Sequence, residues 1–144
     1  MRSLPQRVWR RLRPQRPPES PYPNWRKLLQ IEAGLWDDAL ATAVNGPQIL
    51  IGTSAGGFIP GAIVESMLAV ALTLRGAKVH ILLCDELLPA CIQAMLNFLP
   101  SQSEFAAHGP QQELCAKCFA PGYEMYGSLG LPIRRYSDFI SAED

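Results

Sequence analysis

The sequence predicts an α/β domain built on a doubly wound parallel sheet, with helices on both faces. Three observations predict it. A short apolar run rich in β-branched residues, Ile49-Leu50-Ile51, stops at a glycine-rich stretch carrying Gly52, Gly56, Gly57 and Gly61. An apolar helix then begins around Gly61 to Ile63. A second strand of buried type, Lys78 to Cys84, follows and ends at Asp85. Strand, small-residue turn, helix and strand form the first crossover of such a fold. Ligands of these sheets bind beyond the carboxyl ends of the strands, where the glycine turn lies.

Residues 1–24 read as a basic arm rich in proline and arginine, ahead of the α/β domain over 25–144. Residues 1–27 hold eight Arg or Lys against one acid, Glu19, a local charge of +7 that the rest of the chain cancels. Six prolines between Pro5 and Pro23 exclude a long regular helix there. By composition the arm is a disordered or loosely docked tail. Its clustered arginines also suit an anionic membrane surface. Trp9 and Tyr22 lie in no recognised nucleic-acid module, so nucleic acid is not expected as a partner.

From Trp25 to Ala43 the apolar residues Trp25, Leu28, Leu29, Trp36, Ala39, Leu40 and Ala43 form a helical stripe, with Asp37 and Asp38 on its polar side. Gly34 weakens this helix and allows two shorter ones. Asn45-Gly46-Pro47 breaks the chain before the first strand. After the glycine turn, Ile63, Val64, Met67, Leu68, Val70, Ala71 and Leu74 cover most of a helix, which Arg75 and Gly76 terminate.

Pro89 opens a predicted helix through Cys91, Met95 and Phe98 to Pro100, and the polar stretch 101–112 reads as a loop. Leu114 to Phe119 gives a short helical turn that Pro121-Gly122 should interrupt. An extended Ile133 to Tyr136 follows, and Ser137-Asp138 looks like the cap of a helix just beginning. Two strands and a third make a thin sheet, so the chain is expected to be a C-terminally truncated piece of a larger protein.

The arm lacks the apolar core of roughly 7–15 residues that a secretory signal needs. No apolar run reaches the roughly 18 residues of a membrane span, and Ala62 to Leu74 is interrupted by Glu65. Four cysteines without a signal fit a reducing compartment. The expected location is therefore cytoplasmic, with the arm able to hold the chain against the inner face of the membrane.

Candidate site residues fall into three groups. Thr53, Ser54, Gly56 and Gly57 are substrate-binding candidates, because glycine lets backbone N–H groups approach a ligand and the helix start favours anionic groups. The same glycines equally suit a tight strand-to-helix turn. The phosphate-loop lysine, the G-x-G-x-x-G spacing and a G-x-S-x-G elbow are all missing, which leaves Ser54 a poor nucleophile. Asp85 and Glu86 are the catalytic candidates, placed at a strand's carboxyl end to bind a sugar hydroxyl or act as a base. Cys91, Cys115 and Cys118, with His108 as a fourth ligand, could hold a structural zinc, although the C-x-x-C pair Cys115/Cys118 supplies only half of such a site. Ordinary packing or surface thiols are the simpler reading of these cysteines. His80, Tyr123 and Tyr126 read as structural or packing residues.

In order along the chain, Ile49 to Ile51 with its glycine turn, Val79 to Asp85, Leu88-Pro89-Ala90-Cys91, Cys115/Cys118, Gly130-Leu131-Pro132 and Tyr136-Ser137-Asp138 form a set. The set resembles the N-terminal half of bacterial surface- or capsule-polysaccharide biosynthesis proteins with a GT-B-like glycosyltransferase architecture, over roughly residues 46–140. The resemblance implies a Rossmann-like acceptor-side domain facing a cleft. A C-terminal domain, which this chain does not contain, would hold a nucleotide-sugar donor. It implies a carbohydrate or lipid-linked acceptor contacted by Asp85 or Glu86, with Gly56 and Gly57 making room at the cleft. A complete enzyme would be a glycosyltransferase, and this piece alone would be nearly inactive. Ala94 stands where a second cysteine after Cys91 would complete a C-x-x-C, which weakens a four-cysteine metal site. Two rival readings remain: a non-enzymatic, zinc-stapled binding domain, and a nucleotide-binding module of another α/β enzyme.

Overall fold

In the computed structural model the described residues are 20–53, 55–87, 103, 107 and 112–141. The helix expected from Pro89, most of the stretch 101–112 expected as a loop, most of the arm, Ser54, Cys91 and His108 lie outside them; of that stretch the described Ser103, Ala107 and Gln112 are helical rather than loop. The elements in chain order are α1 (Trp25–Leu29), a 3-10 turn (Gln30–Glu32), α2 (Ala33–Ala43), β1 (Gln48–Thr53), α3 (Ile59–Leu74), β2 (Lys78–Leu83), α4 (Gln112–Gly127), β3 (Ile133–Arg135) and a final 3-10 turn (Tyr136–Asp138). The protein is α/β, with a three-stranded parallel sheet in the order β1-β2-β3.

The two apolar runs pair in parallel, with Ile49 opposite Val79, Ile51 opposite Ile81 and Thr53 opposite Leu83. Because side chains alternate along a strand, these six share one face, and five of them are apolar. Ile51, Val79 and Ile81 join Trp25, Trp36, Ala62, Ala69, Met125, Tyr126 and Leu129 in one core. Residues from α1, α2, α3 and α4 therefore all reach the same side of the sheet. The sequence predicts helices on both faces; among the described residues the helical layer covers one. On the other face Leu50 is 59 % exposed, and Lys78, His80 and Leu82 are half-buried. Among the described residues no group hydrogen-bonds the buried His80 Nε2, and burial with the nearby cations Arg134 and Lys78 holds the His80 imidazole below its usual value.

α3 packs through a stripe of small residues, Ala62, Ser66, Ala69 and Thr73, which lets its axis approach the sheet closely. Ser66 and Thr73 satisfy their hydroxyls on the helix's own carbonyls, those of Ile63 and Ala69. The helix starts at Ile59, earlier than the sequence reading, because Pro60 fits the first turn and the Phe58 ring folds over Gly61. It ends as expected, with Gly76 at φ +84°.

The stripe from Trp25 to Ala43 does divide, but at Gln30–Glu32 rather than at Gly34. Trp36 anchors α2, its indole N–H donating to the Leu129 carbonyl at 3.1 Å. The docked chain reaches back to Tyr22 and Asn24, which composition assigns to the arm; Asn24 caps α1 on the Lys27 N–H.

Two local expectations are corrected. α4 continues through Pro121 instead of breaking there. The missing hydrogen bond costs about 3 kcal/mol in an isolated helix, but Met125 and Tyr126 bury against the sheet and hold the turns beyond it. At the far end Ser137-Asp138 belongs to a single 3-10 turn, closed by the Arg135 N–H on Asp138.

Gly46 faces the Gly76 carbonyl so closely that an added Cβ would lie 1.7 Å from its oxygen. Gly34, in the first turn of α2, has nothing within 4 Å of that position. Gly46→Ala is expected to cost more than about 2 kcal/mol by displacing backbone. Gly34→Ala is expected to stabilise by about 1 kcal/mol. Urea denaturation of the two variants measures the contrast.

Candidate functional site

The carboxyl ends of the three parallel strands bring together the turn after β1, the Asp85-Glu86 segment after β2 and Tyr136–Asp138 after β3. Asp85 links two of these loops, accepting hydrogen bonds from the Ser137 N–H at 3.3 Å and the Ser137 hydroxyl. Glu86 beside it is exposed and holds φ +79°, a left-handed backbone that costs a side chain roughly 1–2 kcal/mol relative to glycine. Non-glycine residues held this way concentrate at functional sites.

One side of this edge is aromatic. Phe119 and Tyr123, one helical turn apart on α4, stack with centroids 5.3 Å apart. The Arg135 guanidinium lies 5.3 Å from the Phe119 centroid and 5.4 Å from that of Tyr123. Tyr123 is 42 % exposed. Arg135 is the last residue of β3, two positions before the serine that Asp85 accepts from. The edge thus holds two carboxylates, a guanidinium and an accessible aromatic ring.

The turn after β1 is arranged differently from the sequence reading of it. Thr53 points inward: only 3 % exposed, its hydroxyl donates to Glu65 Oε2 at 2.5 Å and is hydrogen-bonded to Tyr126 at 3.0 Å. The Tyr126 hydroxyl lies 3.3 Å from the same Glu65 oxygen. Gly56 is buried; a Cβ there would come within 2.8 Å of the Cys118 carbonyl and 3.2 Å of Gly122 Cα. The close approach that its missing side chain permits is used by α4. The Gly56 carbonyl accepts from the Tyr22 hydroxyl, and the Gly57 N–H donates to Cys118 Sγ at 3.1 Å. Gly52, Phe58 and Pro60 remain exposed, so the turn is covered at its centre and open at its flanks.

Of the metal candidates, Cys115 and Cys118 lie one turn apart on α4 and form no disulfide. Among the described residues no three His, Cys, Asp or Glu side chains come together as a metal site. Cys91 and His108 lie outside the described residues. A cleft of about 340 Å³ opens between Tyr22–Arg26 and the α4 residues Pro121, Glu124 and Met125. None of Thr53, Asp85 and Glu86 lines it, and the chemistry at the strand ends outweighs its size.

Sequence reading left Glu65, Phe119 and Arg135 out of its candidates and read Tyr123 and Tyr126 as packing residues, which burial bears out for Tyr126, whereas Tyr123 is exposed. Glu65 carries a signal, being the one charge between Gln48 and Leu74. The aromatic residues fall at 119, 123 and 126, a helical spacing legible only if the helix passes through Pro121.

Neither family models, curated proteins nor solved structures compared with this chain match it. Among the described residues no helix is long and apolar enough to cross a membrane.

Burial, and next the Glu65 carboxylate, hold the Tyr126 phenol well above its usual value of 10. A folded-state value raised this way contributes stability that is fully present below pH 10 and lost as pH climbs toward the folded value. Alkaline titration followed by tyrosine absorbance should show one phenol that ionises only as the chain unfolds. Tyr126→Phe is expected to remove that late step.

Proposed function

We propose that the chain is the acceptor-side, Rossmann-like domain of a glycosyltransferase-like protein in cell-surface polysaccharide biosynthesis. The observation that carries the reading is that two carboxylates and a cation-aromatic pair share the carboxyl edge of a parallel sheet: Asp85, followed by Glu86, holds Ser137, two residues beyond the Arg135 that lies over Tyr123. Sugars are bound by carboxylates that accept their hydroxyl protons and by aromatic faces that pack on their C–H surfaces. A guanidinium adds donors for ring or phosphate oxygens.

In this reading Tyr123 packs on an acceptor sugar and Arg135 donates to it. Glu86, exposed beside the linked Asp85, accepts a proton from the attacking hydroxyl. Asp85 fixes the two loops through Ser137 and positions its neighbour. A nucleotide-sugar donor would be held by a second domain, and the chain alone would bind acceptor without turning it over. The acceptor class is carbohydrate or lipid-linked sugar. A cytoplasmic site beside the membrane, with the basic arm against anionic lipid, suits that class.

Backbone amide shifts during titration with a panel of hexoses, disaccharides and nucleotide sugars test the reading. The expected response is at residues 85–86, 123 and 135–137 with an acceptor sugar, and Tyr123→Ala is expected to weaken binding roughly tenfold. The absence of any response at these amides across the panel would sink the proposal.

A further inference from the structure

We infer that residues 26–35 form a membrane-docking surface, on which Leu28, Ile31 and Leu35 enter the headgroup region of an anionic bilayer while the basic residues hold the chain there. Charge selects the partner. Residues 1–27 carry eight Arg or Lys against the single acid Glu19, and the rest of the chain is acidic by the same amount. A segment so charged is drawn to an anionic lipid surface. The structure shows where that charge is tied down. Asn24 caps α1 through the Lys27 N–H, and the Tyr22 hydroxyl holds the chain to the Gly56 carbonyl. The basic arm therefore joins the described fold at the start of α1, where Arg26 and Lys27 are themselves exposed.

An apolar surface begins at the same place. Trp25 and Leu29 turn inward and pack with the core, which leaves the opposite side of this short winding to solvent. Leu28 is 49 % exposed and Ile31 72 %, the highest value among the large apolar side chains of the described residues. The backbone at Leu29 and Gln30 stays helical, at φ/ψ −72°/−23° and −66°/−21°. Leu28 and Ile31 are therefore i,i+3 neighbours, and Lys27 stands one turn before Ile31. Leu35, 59 % exposed, follows in the first turn of α2. Glu32 is the one acid in this stretch, and Arg26 and Lys27 outnumber it.

Neither feature suffices alone. A few aliphatic side chains give weak, reversible partitioning into lipid, and a polybasic segment by itself is released by salt. Together they make the two-signal anchor of a peripheral protein. The exposed apolar side chains of this stretch are aliphatic, which favours lipid over a nucleic-acid strand, whose bases stack on aromatic rings. The inference rests on the membrane-side placement proposed above and gives that placement a surface. It does not depend on the acceptor chemistry at Asp85 and Glu86.

Co-sedimentation of the 144-residue chain with vesicles tests this, with circular dichroism as the control for folding. Vesicles of phosphatidylcholine alone are compared with vesicles containing about one-quarter phosphatidylserine. Partition into the anionic vesicles is expected to be at least about tenfold stronger, and to fall about tenfold between roughly 0.1 M and 0.5 M salt. Leu28→Gln combined with Ile31→Gln keeps good helix formers at two exposed positions and leaves the charge unchanged. The pair is expected to weaken binding about tenfold. Leu35→Gln is expected to weaken it roughly threefold and serves if the double variant fails to fold. Four outcomes would each overturn the inference: no vesicle binding, equal binding to both vesicle types, binding untouched by these substitutions, or capture of a single-stranded oligonucleotide in place of vesicles. None of them bears on the sugar titration at residues 85–86, 123 and 135–137, which tests the acceptor reading separately.

Discussion

The structure turns on one backbone contact: Gly56, in the turn after β1, lies directly against Gly122 of α4. A Cβ on Gly122 would come 2.8 Å from Gly56 Cα, and one on Gly56 would come 2.8 Å from the Cys118 carbonyl. Side chains essentially never pack that closely, so two glycines are required for the helix to descend onto the turn. The descent brings Tyr126 to Thr53 and Glu65, and Cys118 Sγ to the Gly57 N–H. It also carries Phe119 and Tyr123 to Arg135 at the strand ends. Remove the contact and both the inner polar cluster and the outer aromatic edge lose their common support.

The inner cluster combines two buried groups, Thr53 and Tyr126, with the half-buried Glu65. The three share their hydrogen bonds, and the two buried hydroxyls depend on each other and on the Glu65 carboxylate for partners. This explains why an otherwise apolar helix carries a single acid. The outer edge is organised by weaker interactions: a loop-to-loop hydrogen bond through Asp85, a strained Glu86 and a cation-aromatic contact. The division fits a rigid floor beneath a surface that can adjust to a ligand.

How much of this was legible in the sequence depends on the range of the interaction concerned. The β1-turn-α3-β2 crossover was, because Ile49 to Ile51, the glycine turn and Val79 to Leu83 announce themselves through local pattern. The stop at Gly76 was legible for the same reason. The passage of α4 through Pro121 was not, since what holds it, the burial of Met125 and Tyr126 against the sheet and the contact of Gly122 with Gly56, joins parts of the chain far apart in sequence. The glycine turn shows the same limit. Sequence suggests room for a ligand at Gly56, and the same lack of a side chain serves equally well as room for a helix. Asp85 and Glu86 were placed correctly at a strand's carboxyl end, but their neighbours Tyr123 and Arg135 come from elements whose position only tertiary packing decides.

A double-mutant cycle on Gly56→Ala and Gly122→Ala tests the central contact most directly, with unfolding free energies from urea denaturation. If the two glycines touch as described, each substitution alone costs more than about 2 kcal/mol. The pair then costs at least about 1 kcal/mol less than the sum, since one displacement of α4 relieves both clashes. Strict additivity, or a Gly56→Ala variant as stable as the parent, would contradict the packing on which the site is built.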